Sequence, residues 1–209
     1  MFEKLILVDN PLVKREMTVL RNKNTDSQNF RASLERIAFA LAIAVSENFE
    51  TKKIEVETPL EKTEGFEFGK DIILVPVLRA GLSLVHAFLT LFPSAKVGHI
   101  GLQRNEETLE PIDYYFKAPK NLGDAITLVL DPMLATGGSA SAAIGSLKNR
   151  GAKDLIFVSL IAAPEGVKRL SSEHPDVKIY TASLDRELNG NGYILPGLGD
   201  AGDRTFGTL

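Results

Sequence analysis

The sequence predicts an α/β fold in which a mainly parallel sheet is flanked by helices. Short apolar runs of strand length recur along the 209-residue chain, helical periodicities alternate with them, and Gly, Pro and Asn separate the two. In "FRASLERIAFALAIAVSENFE", Phe30, Leu34, Ile37, Leu41, Val45 and Phe49 recur at three- and four-residue spacing, which predicts a long amphipathic helix. Thr25, Asp26 and Ser27 offer caps just upstream. Strands follow at 54–58 and 72–77, a helix at 82–92 and a strand at 97–102. The polar segment 105–119 surrounds a strand at 112–117 and reads as a β-arm, an antiparallel ribbon standing off the body. A strand at 126–130, a helix at 139–150 stopped by Gly151, and a strand at 155–160 come next. A short helix after Pro164 and a strand at 177–182 complete the alternation. The final stretch, "LNGNGYILPGLGDAGDRTFGTL", is rich in glycine with little apolar periodicity and reads as a structured loop or a loose tail. One domain over 1–209 is the expected organisation.

A formal charge of -3, with 44% hydrophobic and 24% charged residues, describes a globular chain with no general basic field for nucleic acid or an anionic membrane. An anion site must therefore be local. The absence of cysteine excludes disulfides and thiolate metal sites and fits a reducing cytoplasm. The apolar run in "MFEKLILVDNPLVKREM" is broken by Asp9, Asn10 and Pro11, which suits neither a signal peptide nor a spanning helix. The expected localisation is cytoplasmic. Three scattered histidines offer no catalytic set: His86 falls in the apolar pattern of its helix, His99 reads as a strand residue and His174 as a surface residue.

Chemistry concentrates in "ITLVLDPMLATGGSASAAI". Asp131 ends an apolar strand, and ligands of open α/β sheets bind beyond such carboxyl ends. Thr136, Gly137, Gly138 and Ser139 then open a helix, whose free N–H groups and dipole favour a phosphate. A carboxylate repels phosphate, so Asp131 should face another part of the ligand, and a ribose diol offers two O–H donors. Ribose 5-phosphate fits both halves. No Gly-Lys-Ser/Thr follows the glycines and no G-x-G-x-x-G is present, which excludes the Walker A and dinucleotide patterns. The competing structural reading is a turn with Ser139 as an ordinary N-cap.

"VLDPMLATGGS" resembles the signature of the type I phosphoribosyltransferases. Its Asp-Pro form, with "PVLRAGLSL", "KVGHIGLQR", "LIAAPEGV" and "GYILPGLGDAGDRTFGT", looks like the uracil phosphoribosyltransferase family, essentially end to end. One departure from most phosphoribosyltransferases is Pro132, which stands where a second acid is usual. The resemblance implies the type I phosphoribosyltransferase fold and conversion of uracil and 5-phospho-α-D-ribose 1-diphosphate (PRPP) to UMP and diphosphate. It implies that Asp131, Pro132, Met133, Leu134, Ala135, Thr136, Gly137, Gly138 and Ser139 hold PRPP, with Arg79 and Arg104 on its diphosphate. It also implies that the loop carrying Arg79 adopts an unusual peptide geometry. Asp200 is expected to contact PRPP, and Arg79, Arg104 and Asp200 are the expected catalytic residues.

The resemblance further makes 185–209 a hood over uracil, with Ile194, Gly199, Asp200 and Ala201 against the base. Backbone N–H and C=O groups near these glycines can read O4, N3–H and O2, and cytosine would leave them unpaired. Tyr193, Ile194, Leu195, Leu198 and Phe206 are the expected apolar anchors of the hood, and Asp203 with Arg204 an internal ion pair. Magnesium is expected as a cofactor held mainly through PRPP and water, with no protein ligand assigned. A homodimer or higher homo-oligomer is expected, through the arm and the N-terminal helix. Parts of the family respond to a nucleotide effector, GTP, for which the sequence locates no pocket. No nucleic acid or membrane partner is expected. Two alternatives stand beside this reading: an RNA-binding pyrimidine regulator on the same fold, and a phosphoribosyltransferase for another base.

Overall fold

A computed structural model of the chain describes residues 2–104 and 111–208. In chain order the strands and helices are β1 (Leu5–Leu7), α1 (Pro11–Arg21), α2 (Ser27–Ser46), β2 (Thr51–Glu57), β3 (Lys62–Phe68), β4 (Ile72–Leu78), α3 (Leu82–Leu91), β5 (Lys96–Val97), β6 (His99–Arg104) and β7 (Pro111–Lys117). They continue with β8 (Ile126–Leu130), β9 (Met133–Leu134), α4 (Gly138–Asn149), β10 (Asp154–Ala162), α5 (Pro164–Glu173), β11 (Lys178–Leu184), β12 (Glu187–Leu188), β13 (Ile194–Leu195) and α6 (Ala201–Phe206).

Among the described residues the central sheet runs in the order β1-β11-β10-β8-β4-β6-β7, with β5 on β4 and β9 on β10. Every pairing in it is parallel except β6 with β7. The middle strands are covered on both faces, as parallel strands between helical layers must be, and their side chains alternate between two apolar clusters. Leu74, Leu128 and Leu130 join Phe30, Leu34, Leu41 and Phe88 of α2 and α3. Ile73, Val75 and Val129 join Ile144, Leu147 and Leu170 of α4 and α5.

Several elements differ from the sequence reading. Asn10 and Pro11, read there as a break, start α1: the Asn10 side chain accepts the Val13 N–H at 3.0 Å and Pro11 sits in the first turn. The strand at 54–58 is half of a β2–β3 hairpin that forms its own two-stranded antiparallel sheet and takes no part in the parallel one. Phe68 fixes the hairpin's base by edge contact with Phe49 and Phe92, at centroid distances of 5.7 and 5.8 Å. Of the three offered caps for α2, Asp26 does the capping, accepting the Asn29 N–H at 2.8 Å.

The arm is continuous with the sheet edge. Its strand β7 pairs with β6, and β6 touches β4 only through Ile100 and Gly101, so the ribbon runs on past β4. Arg150, the C-cap of α4, holds its base, donating to Asp113 at 2.8 Å and lying 4.1 Å over the Phe116 ring. Residues 105–110 of the expected arm lie outside the described residues. His86 is exposed and pairs with Glu35 instead of joining the apolar face, because it lies on the solvent side of α3. His174 is half-buried rather than on the surface, 3.0 Å from the Ser141 hydroxyl, and His99 lies in β6 as expected. Among the described residues no helix is long and apolar enough to cross a membrane.

Candidate active site

β4 and β8 are parallel neighbours, so the Arg79 loop and the Asp131 loop leave the sheet at the same edge. They pack closely because residue 81 is glycine: a Cβ there would lie 2.2 Å from the Leu130 carbonyl oxygen. The Leu78–Arg79 peptide is cis, the unusual geometry implied for this loop. Arg79 itself is exposed, and its guanidinium lies 3.4 Å from the Asp203 carboxylate.

After β8 the chain passes through Asp131 to Gly137, which takes φ 78° and starts α4 with no side-chain cap. Ser139 is therefore not the N-cap of the competing reading. It stays exposed on the first turn, as does Thr136 before it. The leading N–H groups of a 12-residue helix and two hydroxyls thus meet at one place. The loop is backed by Gly166 of α5, whose missing Cβ would lie 2.4 Å from the Ala135 carbonyl oxygen.

The C-terminal segment returns over this edge as an ordered structure. Two short strands, β12 and β13, lead through a cis Leu195–Pro196 bond and glycines at positive φ to α6. The Asp200 side chain caps α6 by accepting the Asp203 N–H at 2.9 Å. Ile194 and Leu198 are buried, whereas Leu195 is only partly covered and Tyr193 and Phe206 are exposed and do not anchor. Nor do Asp203 and Arg204 pair with each other. Arg204 points into the protein, donating to the carbonyls of Leu20, Leu198 and Asn22 and lying 4.4 Å over the Phe30 ring. Burial lowers its pKa.

Between loop and hood lies a cavity of about 280 Å³. Asp131, Met133, Leu134, Ala135, Thr136, Gly137, Gly138 and Ser139 line it, with Ile194, Gly199, Asp200 and Ala201 from the hood. Pro132 is buried and does not line it. Arg79 stands beside the lining residue Ala80, and the side chain of Arg104 lies outside the described residues. Ala80 and Gly202 line it as well, where close backbone approach is expected, and so does Tyr193, expected only as an anchor. Ala140 and Gly192 line it without any signal in the motifs.

Asp131 keeps some contact with solvent, yet the protein around it pushes its pKa up to about 7. Its hydrogen-bond partner is the Met133 N–H, at 3.3 Å. Asp131 and Asp200 are the cavity's carboxylates, and among the described residues no group of three or more His, Cys, Asp or Glu gathers as a metal set.

The uracil phosphoribosyltransferase family model matches residues 7–208. A uracil phosphoribosyltransferase of Acholeplasma laidlawii is 53% identical over 205 residues, covering 98% of this chain and 99% of its own length. One of Salinibacter ruber is 50% identical over 206 residues, covering 99% of this chain and 98% of its own. The solved AQ2163 protein of Aquifex aeolicus superposes with TM-score 0.90 at 37% identity, over 97% of each chain. A purine phosphoribosyltransferase of Pyrococcus horikoshii shares the fold at TM-score 0.51 and 18% identity, over 74% of this chain and 87% of its own. With an α/β architecture of the type I phosphoribosyltransferases and a family match over nearly its whole length, the chain belongs to the uracil phosphoribosyltransferase family.

Proposed function

We propose that the chain is an enzyme that converts uracil and PRPP to UMP and diphosphate. The observation that carries this reading is the single cavity that joins a phosphate-type helix start to a glycine-rich backbone wall, with a carboxylate on each side. The N–H groups of α4 with Thr136 and Ser139 hold the 5-phosphate, and Asp131 accepts from the ribose hydroxyls. Arg79 is assigned to the diphosphate, as Arg104 is from the resemblance alone, and the backbone around Ile194, Gly199 and Ala201 reads the base. N1 of uracil forms the bond to C1′ as the C1′–O bond to diphosphate breaks, and the N1 proton passes to solvent or to the departing diphosphate. The transition state carries positive charge at the ribose, so positioning and charge balance supply most of the rate.

Magnesium belongs to the same reading. Two separated carboxylates, one near neutral pKa and one already capping a helix, suit an ion carried in by the diphosphate and water better than one caged by protein. The ion would neutralise diphosphate oxygens as they leave. A homodimer is supported by the apolar surface on the β2–β3 hairpin, where Leu60 is 95% and Phe66 60% exposed. A GTP effector and a cytoplasmic setting complete the reading, and no residue is assigned to the effector. A single unit over 1–209 is kept, with 105–119 as arm and 185–209 as hood.

The test is product formation from radiolabelled uracil and PRPP, with cytosine and hypoxanthine as competitors. UMP should form, and neither competitor should reduce it; equal use of all three bases would remove the uracil assignment. Gly137→Ala supplies a second check, because φ 78° strains any L side chain and the new Cβ would lie 3.0 Å from the Gly166 carbonyl oxygen. We expect KM for PRPP to rise about tenfold and stability to fall by about 1 to 3 kcal/mol. KM for uracil should move little.

A further inference from the structure

Behind the hood, outside the cavity, a carboxylate and an arginine meet on one residue, Gly197. Asp185 follows β11 and is 6% exposed. One of its oxygens, Oδ2, accepts from the Gly197 N–H at 2.8 Å and from Arg21 Nη1 at 2.7 Å. The other, Oδ1, accepts from Arg21 Nη2 at 2.5 Å and from the Ser183 hydroxyl at 2.8 Å. Arg21 Nη1 also donates to the Gly197 carbonyl at 2.8 Å. Both polar groups of Gly197 are thus taken by one charged pair, on the side away from the cavity.

We propose that Asp185, through Arg21 and Ser183, is a positioning residue for the base: it clamps the Gly197 turn and so fixes the backbone of Gly199 to Gly202 against the substrate.

The geometry of the turn supports this. Gly197 has φ 66°, and a Cβ there would meet the Ile194 carbonyl oxygen at 2.2 Å, so the turn exists only as a tight loop over β13. Two residues later the chain reaches the cavity wall, and an error at Gly197 is carried directly into the groups that read the base. Arg204 reinforces the arrangement by tying the Leu198 carbonyl to those of Leu20 and Asn22, at the same end of α1 that supplies Arg21. Burial raises the Asp185 pKa, but the bonds from Arg21, Ser183 and the Gly197 N–H outweigh it and hold the carboxyl below its ordinary value. The clamp is therefore ionised at neutral pH. A buried ion pair contributes little net stability compared with apolar residues of the same volume, and conformational definition is what such a pair can add. Here that definition falls on a wall made of backbone.

The inference rests on the uracil reading of the cavity, so its test has one arm that needs no turnover. Asp185→Asn, Arg21→Lys and the paired Arg21→Met/Asp185→Leu are compared with the intact protein by steady-state kinetics and by hydrogen exchange. In Asp185→Asn and the paired variant, KM for uracil should rise about tenfold and kcat should fall with it, because Asp200 lies in the loosened segment, while KM for PRPP, whose phosphate is held at α4, changes by less than about threefold. Amides of 194–202 should exchange about tenfold faster or more, while those of α4 keep their rates. Arg21→Lys, which keeps the charge but loses the fork, should fall between. Retained protection at 194–202 in both Asp185→Asn and the paired variant would overturn the clamp. So would KM for uracil and for PRPP rising together with a general loss of protection, the mark of a merely structural pair. If the intact protein does not use uracil, the functional reading fails while the exchange arm still decides the clamp.

Discussion

Asp200→Asn is expected to lower kcat by about a hundredfold or more while leaving the unfolding midpoint unchanged. The substitution separates two jobs of one side chain. As a cap, Asp200 Oδ1 accepts the Asp203 N–H at 2.9 Å, and asparagine is an equally good N-cap, so α6 should persist. As a cavity carboxylate, Asp200 supplies a negative charge beside the wall proposed to read the base, and an amide cannot. In a reaction that gathers positive charge on the ribose and strips a proton from the base, losing that charge falls mainly on the transition state. Steady-state kinetics with a thermal melt make the check. Unchanged kcat would remove Asp200 from the reacting centre, and a lowered midpoint would show that asparagine does not replace it as the cap.

How much of this was legible depended on where the information lay. The strand β8 and the start of α4 were readable to within a residue, because five buried residues, four of them apolar, end in Asp131 and a glycine pair opens the helix. The hairpin strand β3 was not, since "KTEGFEF" is exposed along nearly its whole length and gives no alternation between a buried and a solvated face. For α1 the same two residues carry two meanings, since Asn10 and Pro11 both end the apolar run before them and form a good helix start. In the site, the loop residues were legible because their chemistry is local to one strand end. The contributions of Gly192 and Tyr193 were not, because they depend on how far the hood folds back. That is decided by Arg21, Asp185 and Arg204 across more than 160 positions of sequence. Asp203 and Arg204, neighbours in sequence, show the same limit: one turns to Arg79 and the other into the core.

Asp131→Asn should make the free protein more stable at pH 8 and the enzyme much less active, two changes of opposite sign from one site. The carboxyl is pushed up to about 7 by burial, from an ordinary value of 3.8. Between those two values the folded state holds a proton that the unfolded state has lost, so stability falls as pH rises through the window, and the deficit is complete above about 7. Asparagine carries no charge and escapes the penalty. The stability gained by the variant should therefore be small near pH 4, grow through pH 6 and level off by pH 8, reaching at most a few kcal/mol. Catalysis runs the other way. Two ribose hydroxyls donate to the ionised carboxylate and favour that form, so sugar binding near neutral pH should release a proton. In the intact enzyme kcat/KM for PRPP should decline below about pH 7. In the variant it should be lower by about 10 to 100-fold and lose that acid limb, because an amide offers one acceptor oxygen and turns N–H donors toward O–H donors. Melts at the three pH values and a pH profile of kcat/KM test both halves. A stability difference that does not vary with pH would show that Asp131 is ordinarily ionised. An unchanged acid limb in the variant would assign that limb to another group. If both expectations hold, the site keeps a carboxylate that weakens the free fold in order to grip the sugar.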